Sequence, residues 1–363
     1  MKTDQILKNI FKNKKVIVTG HTGFKGSWLS LWLNTMGANV IGISKNIPST
    51  PSHFSAINLK KKINHIEIDM CDFKKLSKLF KKYQPDFVFH LAAQSLVKKS
   101  YLNPLETWNS NTIGTLNLLE SLKLVKKKTY VVIITSDKSY KNIEISRGYK
   151  ENDLLGGKDP YSASKGSAEF AIQSYINSFF SHKKNNIFIG IARAGNVIGG
   201  GDWSEDRIVP DCVKSYSKNK TAIIRSPKST RPWQHVLEVI YGYLILASKL
   251  NLNKKLHGEV FNFGPRKQSN YTVVYLLSKI KQYWPNFKWK VKKNKNKFFE
   301  SKLLKLNSNK AKKKLNWQSI LNIDESAKLV ADWYSFFYKN KRQNLYQLSV
   351  KQINYYVEKI KHK

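Results

Sequence analysis

The stretch "KVIVTGHTGFKG", Lys15 to Gly26, decides how the chain is read. Val16, Ile17 and Val18 form a β-branched run that ends at Gly20, and Gly23 and Gly26 follow at three-residue intervals. The next segment, "GSWLSLWLNTMG", carries apolar residues at helical spacing and is closed by Gly37. Glycines between a strand and a helix let the backbone approach a diphosphate, whose charge meets the helix N-terminus. Thr22, Phe24 and Lys25 complete this loop, and Lys25 adds a cation. A spaced glycine triplet alone is also an ordinary turn. The strand before it and the helix after it point to a dinucleotide.

Outward from this loop the pattern repeats. "ANVIGIS" and "NHIEIDM" read as strands, "DFKKLSKLFKKY" as a helix with Phe73, Leu76, Leu79 and Phe80 on one face, and "PDFVFHLAA" as a fourth strand. "NTIGTLNLLESLKL" is a helix and "TYVVIITS" a fifth strand. Strands alternating with helices imply a parallel sheet covered on both faces, an α/β fold. After about residue 193 the chain turns Gly-, Pro- and Trp-rich, in "RAGNVIGGGDW" and "RSPKSTRPWQH", which read as functional loops. "LEVIYGYLILASKL" is again a helix, and "GEVFNFG" a strand returning to the sheet. We therefore expect a dinucleotide-binding domain over 10–193, joined by 236–264, and a smaller substrate lobe from 194–235 and 265–363.

Composition sets limits on function. Of 64 basic residues only 7 are arginine, and the lysines run through the whole chain, so the formal charge of +40 reads as global bias. Base and phosphate readers favour arginine, which argues against a nucleic-acid partner. The densest run, Lys288 to Leu315, reads as solvated surface that attracts anions. The apolar runs fall short of the roughly 20 residues a membrane helix needs, so no membrane partner is expected. The N-terminus lacks a continuous apolar core, which makes the cytoplasm the expected location. Cys71 and Cys212 form no disulfide framework, and the eight histidines show no ligand spacing, so no metal is expected.

Two further stretches carry chemistry. In "KDPYSASK", Asp159 is a helix cap and Pro160 the first helical residue, which places Tyr161 and Lys165 one turn apart on one face. A phenol acting as a base near neutrality needs its pKa of about 10 lowered by neighbouring positive charge, and Lys165 is the expected supplier. In "TSDKSY", the apolar fifth strand ends in Ser136, Asp137 and Lys138, a hydroxyl, an acid and an amine in succession.

The glycine loop, "HLAA", Ser136 and the Tyr161–Lys165 pair resemble the extended short-chain dehydrogenase/reductase superfamily, whose sheet is Rossmann-like and whose cofactor is NAD or NADP. The resemblance implies that Asp69 and Met70 border the adenine, that Leu91, Ala92 and Ala93 line the adenosine and ribose channel, and that Lys165 also holds the nicotinamide ribose. Strand two ends in Ser44 and Lys45 where a carboxylate would hold a ribose 2′-hydroxyl, so that position does not fix NAD over NADP, although NAD is the expected cofactor.

Within the superfamily, Asp137 and Lys138 sit where nucleotide-sugar 4,6-dehydratases carry an acid–base pair. Asp followed by Lys resembles the branch acting on CDP-glucose, as do "GHTGFKGSWL", "NPLETW", "ARAGNVIGGGDW" and "RPWQHVLE". Such an enzyme oxidises C4 of the sugar, which makes the C5 proton removable and the C6 hydroxyl a leaving group once protonated. The chemistry asks for an acid at C6 and a base at C5 beside Ser136. Lys138 as that base must be neutral and Asp137 protonated; alternatively Lys138 stays charged and stabilises the enolate. A 4-epimerase has no use for the pair, and a non-catalytic NAD-binding regulator has no use for it together with Tyr161 and Lys165.

By the same resemblance Asn196 contacts the substrate diphosphate. Arg207 and Arg231 suit the same anion. Gln94, Ser95, Trp233, Gln234 and His235 are candidates to border the sugar or base. His235 is equally a helix-start residue, and Trp203 and Trp233 are equally inter-lobe core. The resemblance also implies a homo-oligomer built through a helix bundle.

Overall fold

The computed structural model describes residues 3–182, 185–224, 226–266, 270–292, 303–339 and 344–362. Its centre is a seven-stranded, wholly parallel sheet. Six strands come from the first half: β1 (Lys15–Thr19), β2 (Asn39–Ser44), β3 (Asn64–Glu67), β4 (Phe87–His90), β5 (Thr129–Ile134) and β6 (Ile187–Ala194). Val260–Phe263 adds the seventh, parallel to β6. The order across the sheet is β3, β2, β1, β4, β5, β6 and Val260–Phe263. The direction of winding reverses between β1 and β4, and ligands of such sheets bind beyond the strand ends at that point.

Burial on both faces explains the near-continuous apolar strands. Ile17, Ile41, Val88, Val131 and Ile189 point to one face, where they meet Leu76, Leu79 and Phe80 of the helix Phe73–Tyr83, Leu118 and Leu122 of Gly114–Leu122, and Ile172 of Pro160–Phe179. Val16, Val18, Phe87, Phe89 and Val132 point to the other, under the helices Phe24–Thr35 and Val236–Leu252. The latter is buried along almost its whole length, packed on β5 and β6 and covered by the helices Thr3–Phe11 and Phe24–Thr35 and by Trp317 and Tyr356 of the C-terminal third.

Two expected elements differ in detail. Phe73, read as part of the buried face of its helix, is 42% exposed at the helix start. The segment read as one helix from Asn111 instead begins as a π-turn, Asn109–Ile113, before the α-helix Gly114–Leu122. The turn buries Asn111, whose amide bonds Ser164 Oγ at 2.9 Å and the Gln94 carbonyl at 3.1 Å. Part of the lysine-dense run, 293–302, lies outside the described residues. Of its described lysines, Lys310 and Lys314 both pair with Glu259.

Candidate active site

Gly20 follows β1 with φ +73°, and a Cβ on it would lie 2.7 Å from the Ala92 nitrogen. A Cβ on Gly26 would lie 2.1 Å from the Gly20 carbonyl oxygen, so neither position admits a side chain. The helix that begins at Phe24 has Gly23 as its N-cap and no side-chain cap, which leaves its first amides facing outward for an anion. These features fit a dinucleotide diphosphate. Thr22 is turned inward, its hydroxyl donating to the Asn46 carbonyl at 2.6 Å, and Phe24 packs on the core.

Asp69 accepts from the Cys71 amide at 2.9 Å and pairs with Lys45 at 2.9 Å. The carboxylate absent from strand two thus stands one strand over, already engaged by the lysine that replaces it. Met70 is buried with its carbonyl on Asn117, and Leu91, Ala92 and Ala93 form the half-buried turn after β4. The residues expected at the adenosine end thus lie beyond the carboxyl ends of β3 and β4, two strands apart across β2 and β1.

Asp159 caps the helix Pro160–Phe179, accepting from the Ser162 amide at 2.9 Å, and so aims Tyr161 and Lys165 at the end of β5. Both are buried, at 7% and 6% exposure. Burial lowers the Lys165 ammonium to about 8, with Lys25 adding to the effect, and its Nζ lies 3.4 Å from the Ile134 carbonyl. The phenol differs from the sequence reading. Burial raises Tyr161, and the influences that pull it down are a hydrogen bond to Ser136 and the charge of Arg207. Lys165 points at the strand carbonyl instead.

Ser136 caps a single 3-10 turn, Asp137–Ser139. Its hydroxyl accepts from the Lys138 amide at 3.2 Å and donates to Asp137 Oδ1 at 3.1 Å. Asp137 is 4% exposed, and burial raises its carboxyl against the pull of Lys138, the Ser136 hydroxyl and Lys25. A carboxyl biased toward its protonated form is what a proton donor requires. The other Asp137 oxygen lies against Gly195, where a Cβ would approach to 2.6 Å. Lys138 is half-buried beside it.

Arg207 reaches this cluster from the loop after β6. It donates to Asp202 at 2.9 Å and to Ser95 Oγ at 3.3 Å, and its charge acts on both Tyr161 and Lys25. Lys25, half-buried, is lowered to about 8 by burial and by Arg207. Gln94 is spent internally on Leu96 and Thr107, bracing the turn that presents Ser95. The Asn196 carbonyl accepts from the Gln234 amide at 3.2 Å. Arg231 lies on a short strand opposite Tyr271 and donates to the Thr230 carbonyl. His235 is fully buried as the N-cap of Val236–Leu252, and Trp203 packs among Trp333, Tyr334 and Phe337. Among the described residues, the buried Trp233 Nε1, Gln234 Oε1 and His235 Nε2 have no hydrogen-bond partner.

The sequence reading missed the buried pair Glu169–Arg193 beneath the Ser136 segment. The signal was there: Tyr161, Lys165 and Glu169 recur every four residues, placing an acid on the buried face.

A model of the GDP-mannose 4,6-dehydratase family matches residues 17–330. The chain belongs to that family. It is 43% identical over 330 residues to CDP-glucose 4,6-dehydratase of Salmonella typhimurium, covering 90% of this chain and 92% of the relative. Two solved structures share the fold of this family member. An epimerase from Methanothermobacter thermautotrophicus superposes with a TM-score of 0.78 at 22% identity, over 93% of this chain and 97% of that one. UDP-glucuronic acid 4-epimerase from Bacillus cereus, in complex with UDP-glucuronic acid and NAD, gives 0.76 at 24%, over 89% and 100%.

Proposed function

We propose that this protein converts CDP-glucose to CDP-4-dehydro-6-deoxyglucose with NAD as its cofactor. Nucleotide-sugar 4,6-dehydration, a hydro-lyase reaction, rests on the family and on the 43% identity to a CDP-glucose 4,6-dehydratase. The observation that carries the mechanism is a buried carboxyl, Asp137, whose Oδ1 accepts from the Ser136 hydroxyl at 3.1 Å at the end of β5, where the helix Pro160–Phe179 brings the buried Tyr161 and Lys165.

The diphosphate of NAD would lie on Gly20, Gly23 and Gly26, its adenosine against Asp69, Met70 and Leu91–Ala93, and its nicotinamide ribose on Lys165. When bound, the cofactor supplies a reversible two-electron oxidation, taken at C4 and returned at C6. The residues of this chain supply the proton transfers. Tyr161 accepts the proton of the C4 hydroxyl while Ser136 holds that oxygen. Lys138 removes the C5 proton, made acidic by the C4 carbonyl. Asp137 protonates the C6 hydroxyl, which departs as water. Arg207, Asn196 and Arg231 hold the substrate diphosphate, and Ser95, on which Arg207 rests, borders the sugar. Trp233, Gln234 and His235, whose unpartnered polar atoms are consecutive, border the sugar or base.

The product feeds deoxysugar synthesis for surface polysaccharide in the cytoplasm. The working unit is a homodimer through the helices that leave Leu102, Leu105 and Phe170 more than 60% exposed. We divide the chain into a nucleotide-binding domain, 10–193 with 236–264, and a substrate lobe, 194–235 with 265–363; the pairing of Val260–Phe263 with β6 supports the return of 236–264.

Incubation with NAD and a panel of CDP-, dTDP-, UDP- and GDP-glucose tests the reading. CDP-glucose should give the alkaline ultraviolet absorbance of a 4-keto-6-deoxy sugar without net reduction of NAD. Preferred turnover of another base would replace CDP, and a 4-epimer as sole product would overturn the dehydratase.

A further inference from the structure

We propose that Glu169 is a positioning residue that clamps the Ser136–Asp137–Lys138 segment to the helix carrying Tyr161 and Lys165. The proposal rests on the reaction assigned above and names what keeps its two halves in register.

Glu169 lies two turns beyond Tyr161 on the same face of Pro160–Phe179 and is 1% exposed. One carboxylate oxygen, Oε1, accepts from Thr135 Oγ1 at 2.7 Å and shares the single proton of Ser139 Oγ, 3.0 Å away, with the Ser136 carbonyl. These two residues bracket the three that are proposed to hold the C4 oxygen and move protons at C5 and C6. The Ser136 carbonyl lies 2.6 Å from that hydroxyl, so one bifurcated bond closes the turn and tethers it to Glu169. Bonds from hydroxyls to a carboxylate are short and directional, and burial keeps water from competing for them.

The carboxylate is itself held. Arg193 on β6 approaches it with Nε at 2.8 Å from Oε1 and with Nη2 on Oε2. The guanidinium is fixed in turn by the Glu151 carbonyl at 3.1 Å and by the Tyr140 ring, 4.4 Å below it. Three elements thus converge on one group: β6 through Arg193, the end of β5 through Thr135 and Ser139, and the catalytic helix through Glu169 itself. A buried ion pair is weak evidence for stability and better evidence for fixed registry. Here the registry is that of an acid–base segment against a phenol, where a misplacement of about 1 Å costs roughly a hundredfold in rate.

Glu169→Gln strands a buried guanidinium and threatens the fold, so the informative variants are Thr135→Val and Ser139→Ala. Each deletes one hydroxyl and leaves the Arg193–Glu169 pair. Amide hydrogen exchange should quicken at least about tenfold over 136–139, with the Pro160–Phe179 helix unchanged and the melting temperature within a few degrees. With CDP-glucose and NAD, kcat should fall roughly 10- to 100-fold and KM change less than about twofold. The near-ultraviolet absorbance of reduced nicotinamide should accumulate, because C4 is still oxidised while loss of water lags. Thr135→Ser, which restores the hydroxyl, should return to within about threefold of wild type. Unchanged exchange over 136–139, or a uniform loosening of the sheet in which kcat falls only as the protein melts, would overturn the clamp. Wild-type protein inert toward every nucleotide glucose would instead sink the functional reading, and the exchange measurement would still decide the clamp.

Discussion

Glu169 is 1% exposed and Glu238 fully buried, yet the two carboxyls are satisfied by opposite means. Glu169 meets a guanidinium and two hydroxyls at the carboxyl end of β5. Glu238, in the first turn of Val236–Leu252, meets neutral donors from the C-terminal third. These are the Ile320 and Leu321 amides at 2.7 and 2.6 Å, Ser319 Oγ at 3.2 Å and Tyr356 OH at 2.8 Å. Burial raises the Glu238 carboxyl above its ordinary range in spite of these donors. The first arrangement holds an ion pair and braces the segment for which we propose the proton transfers. The second ties a lysine-rich C-terminal region to the sheet, and a neutral group of the same shape serves there as well.

Substitutions can break this contrast. The largest effect is expected at the catalytic end: Tyr161→Phe should lower kcat about 10²- to 10⁴-fold with CDP-glucose affinity nearly intact, measured by turnover and by calorimetric binding. Glu169→Gln comes next. Removing one partner of a buried pair leaves the other charge uncompensated, at a cost of about 3–5 kcal/mol in denaturant unfolding. A loss below about 1 kcal/mol would mean that Arg193 finds another partner or water.

Glu238→Gln should change stability by no more than about 1 kcal/mol at neutral pH, because the amide keeps an acceptor for Ile320 and Leu321 and a donor for Tyr356. A carboxyl whose folded-state pKa lies above its unfolded value stabilises fully below the unfolded value, near 4.5, and loses that contribution as pH rises through the folded one. The melting temperature of wild type relative to Glu238→Gln should therefore rise as pH falls from about 8 to 5. A fall over that range would show that Glu238 is held as a carboxylate.

What the sequence made legible were features with a local period. The alternation of strands and helices, the glycine loop between β1 and its helix, the Asp159 cap and the Tyr161–Lys165 spacing each lie within a few residues. Each follows from backbone geometry alone. The contacts it concealed join distant segments: Glu169 to Thr135 and Arg193, Glu238 to residues near 320 and 356, Arg207 to Ser95. No periodicity records them, because tertiary packing decides which buried acid meets which donor. The Tyr161 phenol shows the same limit. Spacing puts Lys165 on its face, but its ammonium turns toward the Ile134 carbonyl, and the cation whose charge lowers the phenol is Arg207, 46 residues away in sequence.

The proposed mechanism has Asp137 and Lys138 expel water from a sugar that NAD has oxidised at C4 with Tyr161 as the base. Lys138→Met, run with CDP-glucose and NAD in deuterated water, tests it most directly. The account predicts retained reduction of NAD, no deuterium at C5 and no 4-keto-6-deoxy product, whereas wild type incorporates deuterium at C5 of its product. Deuterium entering C5 at the wild-type rate in the variant would contradict it.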